Sequence, residues 1–546
     1  MWHGRHVPED GDYCIAEVPD DGPALLVEVL GAEDRPEWDD HAVASQFRLR
    51  TRFPHAADEE AAACHAPGAH ERRGRLDLRE TLTFTIDPED ARDHDDALSV
   101  VPAGRGRWEV GVHIADVSHY VRPGSALDRE AERRGTSVYL PGGVIPMLPE
   151  RLSGDLCSLR PGEDRLALSV IVRLDAAGDV EDARFAETVI RSAHRFHYGE
   201  VQVALDGVRR LPGAAQHAVE TLMTLARGLR GRRRAAGALD LDVPEVKAWV
   251  DERGRTVRFE RRAHLESHEL IEEFMLLANR CVGAAAARGG AAAGPGGGLL
   301  YRVHDPPGER KLEDLDRMLK ALALPRPGDL RDPARALQTI LAVRLDPPRR
   351  RLVHRLVLRS LARARYFERD TGHFGLAARE YCHFTSPIRR YPDLHNHRRV
   401  REWIRGRPSG AWDPAALEAL ATRTSATEQN AAEAEREATK VKGLRVLEGR
   451  LGERASGIIT GFIPLGFFVE LDDEPLEGFV RVGHDLDDHF VLDPSGVRMM
   501  GRRSRRRFSL GDPVRVIVAR VDVPARECDF ALELPQRRRH PHSRRA

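Results

Sequence analysis

The chain has 546 residues, 41% hydrophobic and 31% charged, and Lys plus Arg (85) nearly balances Asp plus Glu (86) for a net charge of -1. At roughly 150 residues per domain this length allows about three or four domains and excludes a disulfide-stapled miniprotein. No run approaches the roughly 20 apolar residues of a bilayer crossing, and the start MWHGRHVPEDGDYC has no apolar stretch behind a basic head, so the expectation is a cytoplasmic protein with no membrane partner.

Residues 1–55 read as a small β module, a partial cold-shock or OB-like fold with DYCIAEVP and ALLVEVLG as strands. Residues 56–75 are Ala-rich and charged and read as a linker. From 76 to 407 the pattern is mixed α and β. Leu82, Phe84 and Ile86 alternate, as do Trp108, Val110, Val112 and Ile114, each set reading as a strand with one buried face. LESHELIEEFMLLANRCV instead puts Leu270, Ile271, Phe274, Leu277, Ala278 and Cys281 on one helical stripe. GGAAAGPGGG (289–298) reads as a flexible insert. Residues 408–449 are Ala, Glu and Arg at helical spacing, expected as one or two long surface helices that complete the mixed domain. Short alternating strands then fill 450–534, the rhythm of a small all-β barrel, ahead of a basic tail, 535–546.

The six cysteines are scattered with no C-x-x-C pair, which argues against both a disulfide framework and a zinc ribbon. Charge is uneven along the chain. Arginines cluster at Arg230 to Arg234, Arg349 to Arg351, Arg502 to Arg507 and in the tail, while acids gather between Asp87 and Asp96, a polarity suited to holding phosphates in some places and cations in another. Solvated faces are the alternative reading of any single arginine run.

The most informative segment is IDPEDARDHDD, where Asp87, Asp93, Asp95 and Asp96 follow a strand directly. Carboxylates this crowded persist as anions when cations sit among them, and an all-oxygen set suits magnesium, with manganese as the alternative, rather than zinc. In an extended run Asp93 and Asp95 point one way and Asp96 the other, which lets one loop surround a metal. A plain acidic turn is the alternative. An EF-hand fails, because Leu98 falls where its glycine belongs.

These residues, with VGVHIADVSHYVRPGSALDREAERRGTSVYLPGG, ESHELIEEFMLLAN, YRVHDPP and GHFGLAAREYCHFTSPIRRYPDLHNHR, resemble the ribonuclease II and ribonuclease R family of exoribonucleases from about Arg75 onward. The resemblance implies a multidomain protein: an α/β RNB catalytic domain with a deep channel, flanked by small all-β OB-fold barrels. It also implies processive 3′ to 5′ hydrolysis of single-stranded RNA to nucleoside 5′-monophosphates with magnesium.

Carried over by position, Asp87, Asp93, Asp95 and Asp96 match the metal-binding aspartates, with Asp95 the essential carboxylate. Tyr139 matches the aromatic that stacks on the terminal base, and Arg389 the arginine that steadies the scissile phosphate. Arg390 either does the same or pairs with Asp393. Glu272, Asn279, Arg302, His304 and Glu428 match polar positions near the channel, with structural hydrogen bonding as the alternative role. Asp116 either supports the metal site or caps a turn. The chain departs from the family at Leu241, where many relatives carry a second stacking aromatic.

The C-terminal barrel resembles the S1 repeat. Alternation places one of Phe467 and Phe468 in its core and the other outside to stack on RNA. Beyond single-stranded RNA, the basic tail leaves ribosomes or other RNA-decay proteins open as partners of a monomer. A catalytically silent RNA-binding regulator, or a metal phosphodiesterase acting on DNA, would share these features. No G-x-x-x-x-G-K-[ST], G-x-S-x-G or H-E-x-x-H motif is present to suggest another chemistry.

Overall fold

A computed structural model describes residues 9, 11–17, 25–32, 34–175, 177–241, 245–293, 298–326, 328–406, 413–472, 474, 476–485 and 488–533. Its centre is a seven-stranded sheet in the order His194–His197, Phe84–Asp87, Asp96–Pro102, Trp108–Ala115, Asp164–Leu174, Val180–Arg191, Leu76–Asp77. The inner pairs are antiparallel and the two outermost are parallel. The predicted alternation is present, with Phe84, Ile86, Val110, Val112 and Ile114 all at 1% exposure or less. They pack with the helices Ala215–Ala235 and Glu266–Ala293.

The expectation of a single buried face does not hold. The second face is covered too, by the helices Ala126–Arg134 and Tyr391–Ile404 among others. Between those helices and the strands runs a buried polar ladder. His113 sits between Ser99 (2.9 Å) and Ser169 (2.7 Å), and Ser169 reaches Thr188 at 2.7 Å. Gly111 is required beside it, since a Cβ there would stand 2.5 Å from both His113 Nε2 and Ser99 Oγ. Polar residues on the second face read as solvent-facing in a pattern argument, but here they satisfy one another across strands.

The N-terminal region differs from a partial barrel. Among the described residues the strands Asp12–Glu17 and Leu25–Ala32 pair with each other alone, and the chain then turns helical at Asp39–Gln46. The stretch read as a linker is an anchor. Helix His55–Ala62 buries Ala57 and Ala61, and Glu60 accepts hydrogen bonds from the N–H groups of Ala126 and Leu127, capping the helix Ala126–Arg134. Small alanines let that helix approach closely, which their composition alone disguises as low order. The Glu266–Ala293 helix also extends into the Gly/Ala stretch, and 294–297 lie outside the described residues.

Pro414–Glu448 is one 35-residue helix, and it is a spine rather than a surface element. Ala431, Ala434, Ala438, Val441, Leu444 and Leu447 face a core shared with the C-terminal barrel. That barrel is closed by the strands Arg454–Ile463, Gly466–Leu471, Glu477–Arg481, Glu527–Leu532 and Pro513–Asp522. The basic tail lies outside the described residues. Among the described residues no helix is long and apolar enough to cross a membrane, and all six cysteines are free thiols.

Candidate active site

The acidic loop leaves the sheet at Asp87 and re-enters it at Asp96, which pairs with Ile114. Pro88 starts a turn closed by the Ala91 N–H on its carbonyl (3.1 Å). Neighbours clamp the loop from outside. Arg195 donates to the carbonyls of Glu89 (2.6 Å) and Ala91 (3.1 Å), and Ser158 Oγ accepts from the His94 N–H at 3.0 Å.

Within that frame each aspartate has a distinct environment. Asp87 Oδ2 lies 2.9 Å from His94 Nδ1. Asp93 accepts from the Tyr139 hydroxyl at 3.2 Å. Asp95, 4% exposed, accepts the Ile388 N–H at 2.9 Å and faces Arg389 Nε at 3.7 Å, yet its Oδ2 is buried without a hydrogen-bond partner. Burial pushes the Asp95 carboxyl well above the usual carboxylate range, with Arg389 opposing. Asp96 is pushed up to about 8 by burial and then by the charge of Asp87.

No three His, Cys, Asp or Glu side chains among the described residues converge into a ready ligand set. Three of the four aspartates hold other partners instead. The donor chemistry still fits a hard divalent cation: the atoms are carboxylate oxygens, two of the groups are buried against their own charge, and one oxygen has nothing bonded to it.

Arg389 arrives on the loop before helix Tyr391–Ile404. Asp393 fixes that loop by accepting from the Ser386 N–H (2.9 Å) and from Arg390 (2.8 Å). The two adjacent arginines therefore divide. Arg389 keeps 41% of its side chain exposed beside Asp95, while Arg390 pairs with Asp393, the second of the two roles expected for it, and not the RNA contact.

Other expected contacts are likewise internal. Asn279 donates to the Tyr381 hydroxyl and accepts from the Phe384 N–H, at 3.1 and 2.8 Å. Arg302 pairs with Glu428 at 2.5 Å and lies over the Tyr366 ring. His304 accepts from the Gly375 N–H and reaches the Ala362 carbonyl. Glu272 is the exception, with its side chain 56% exposed and 3.6 Å from His264. Leu241 packs with the apolar cluster of Leu312, Leu315 and Leu352. Asp116 neither caps its helix nor joins the acidic loop; it pairs with Arg75 at 2.7 Å. The run Arg230 to Arg234 is largely paired with acids: Arg230 and Arg234 with Asp240, Arg232 with Asp179, Arg233 with Glu273.

Two residues at the site were not anticipated. One is His94, sitting between two of the aspartates. The other is Tyr198, stacked on His268 at 4.0 Å, whose hydroxyl is raised first by burial and then by the charges of Asp96 and Asp87. Its strand neighbour His197 pairs in register with Asp87, a parallel contact that no local pattern announces. In the barrel, Phe467 is fully buried against Phe508 and is the core member of the pair, out of reach of RNA, while Phe468 sits half-buried beside Phe479 on the other side of the strand. The Arg502–Arg507 turn is mostly exposed.

An α/β domain with aspartates gathered at a strand end is joined to an OB-type barrel. Residues 75–406 match the RNB domain and residues 449–533 the S1 RNA binding domain. Ribonuclease R of Aquifex aeolicus is 39% identical over 515 residues, 93% of this chain and 72% of that protein. Ribonuclease R 1 of Lactococcus lactis is 34% identical over 531 residues, 95% of this chain and 64% of that one. The solved structure of Mycoplasma genitalium RNase R in complex with ribose methylated single-stranded RNA superposes with a TM-score of 0.87 at 27% identity, covering 93% of this chain and 80% of the other. The chain belongs to the RNB family, and its relatives there carry the name ribonuclease R.

Proposed function

We propose that this chain degrades single-stranded RNA processively from the 3′ end to nucleoside 5′-monophosphates, with Mg2+ or Mn2+ held at the acidic loop. RNB nucleases are divalent-metal-dependent as a group. The observation that carries the reading is a pair of under-compensated carboxylates, the buried Asp95 and the half-buried Asp96, with Arg389 beside Asp95.

Asp95, Asp96, Asp87 and Asp93 would hold the metal. Bound there, a divalent cation lowers the pKa of a coordinated water and offsets charge on the phosphate. Arg389, exposed and 3.7 Å from Asp95, is placed to bridge two phosphate oxygens as charge develops. Tyr139, 41% exposed with its hydroxyl on Asp93, offers a ring to the terminal base, and stacking of this kind tolerates any sequence. Phe468 and the exposed arginine turn gather the strand before it enters. A cytoplasmic monomer follows as the working setting.

A 5′-labelled RNA incubated with and without Mg2+ tests this. Stepwise shortening with release of monophosphates, only with metal, is the expected result. Internal fragments, equal cleavage of DNA of the same sequence, or binding with no cleavage would each overturn it.

A further inference from the structure

The hairpin that carries Tyr139, Val138–Leu140 with Gly143–Ile145, pairs only with itself among the described residues. A lone two-stranded hairpin is marginal at best in water, so its position is set by what grips it from outside. At the root, the Ser137 N–H and the Thr136 hydroxyl both donate to the Arg389 carbonyl, at 2.9 and 3.0 Å. Along the first strand the N–H of Tyr139 itself donates to Glu435 Oε1 of the long helix at 2.8 Å. At the turn the Gly142 N–H donates to Asp40 Oδ2 at 2.6 Å.

Asp40 belongs to the helix Asp39–Gln46, and the adjacent residue fixes that helix. Asp39 is fully buried and pairs with Lys442 (3.0 Å) and Arg445 (2.9 Å) of the long helix. Lys442 also donates to the carbonyls of Pro36 and Gly254. Val43 of the same helix and Phe47 just beyond it share an apolar cluster with Val138, Leu140 and Ile145. Asp40 and the turn are fitted to each other, since a Cβ at Gly142 would come within 2.6 Å of Asp40 Oδ2. The other oxygen, Oδ1, is buried without a hydrogen-bond partner. That arrangement costs stability, and a residue present for stability alone would not retain it.

We propose that Asp40 and Glu435 are positioning residues that fix the height and tilt of the Tyr139 ring over the aspartates, so that the N-terminal helix and the long helix set where the RNA 3′ end stops. The inference rests on Tyr139 being the base-stacking platform. Neither carboxylate needs to touch RNA; each acts through a backbone N–H of the hairpin. Loss of one such hydrogen bond lets the ring move, weakening capture of the strand end by about five-fold, the equivalent of about 1 kcal/mol.

The test uses the full chain and an RNA ending in 2-aminopurine, whose fluorescence is quenched by stacking. Binding is read without turnover in an Asp95→Asn background, and KM and kcat are read in the active background. Asp40→Ala and Glu435→Ala should each lose most of the quench and raise KM about five-fold with a smaller change in kcat. Asp40→Asn and Glu435→Gln keep an oxygen for the same N–H and should restore both signals. Retention of quench and KM in the alanine variants, or failure of the amide variants to restore them, overturns the proposal. Thermal melting identifies any variant that fails to fold, and Glu435→Ala, on the half-buried face of the long helix, carries the test if Asp40→Ala does not. Tyr139→Ala separates the two levels: an unchanged quench there defeats the stacking reading, whereas a quench lost in Tyr139→Ala and kept in Asp40→Ala defeats the positioning alone.

Discussion

Two sets of buried acids sit at one end of the central sheet, and the chain treats them in opposite ways. Asp116, 1% exposed at the end of strand Trp108–Ala115, is fully answered: Arg75 at 2.7 Å, the Ser118 hydroxyl at 2.7 Å and Arg401 at 3.6 Å. Although burial raises its carboxyl, Arg401 and Arg75 outweigh that and hold it well below the usual carboxylate range. Glu187 completes the network by pairing with Arg75, Arg401 and Arg405. Beside it, the Ala115 N–H donates to the Asp95 carbonyl, yet the Asp95 side chain has one backbone donor, one distant and exposed guanidinium, and one oxygen with no hydrogen bond. Burial is common to both regions. Compensation separates an acid that holds the fold from the one proposed to meet a cation.

Removing the ready acid should have the largest effect on chemistry. Asp95→Asn is expected to cut mononucleotide release by on the order of a thousand-fold or more, from the loss of several kcal/mol of charge stabilisation, while RNA binding persists and melting temperature stays level or rises. A fall in melting temperature would break the contrast. Asp116→Asn should do the reverse, destabilising the fold by about 3 kcal/mol in chemical denaturation because Arg75 and Arg401 lose their shared anion, with kcat per folded molecule little changed. Arg389→Gln should lower kcat about a hundred-fold with a smaller change in RNA affinity.

Buried histidines of the sheet and of helix Tyr391–Ile404 sharpen the comparison through pH. Burial lowers His113, His395 and His397 to about 4 in the folded chain, against 6.5 as their ordinary value. Below pH 6.5 the unfolded chain takes up protons that the folded chain refuses, so stability should fall as pH drops from about 6.5 towards 4. In a chain carrying Asp95→Asn and Asp96→Asn, which removes the opposing proton uptake of those raised carboxyls, the loss between pH 7.5 and 6 should total about 2 kcal/mol, read from urea midpoints. A flat profile would mean these rings are accessible. The smallest expected effect is in the barrel: Phe468→Ala should weaken RNA binding by about 1 kcal/mol and leave kcat unchanged.

Local signals made the framework legible. Alternating apolar residues located the strands around the acidic loop, and the spacing of Asp87, Asp93, Asp95 and Asp96 marked that loop as the candidate site. What stayed hidden depends on partners distant in sequence. Nothing adjacent to Arg389 and Arg390 says which one Asp393 will claim, and Asn279 reads as a channel residue until the Tyr381 hydroxyl and the Phe384 N–H are seen to hold it. The 56–75 stretch looks unstructured because alanine carries little hydrophobic signal, although Ala57 and Ala61 are buried by close helix approach. Tyr198 reaches the acids only through a parallel strand pairing.

Calorimetric titration of Mg2+ into the wild-type chain, Asp95→Asn and Asp116→Asn tests the difference between these acids most directly. The account predicts a binding heat in the wild type that survives in Asp116→Asn and disappears in Asp95→Asn. Equal binding by wild type and Asp95→Asn would contradict it.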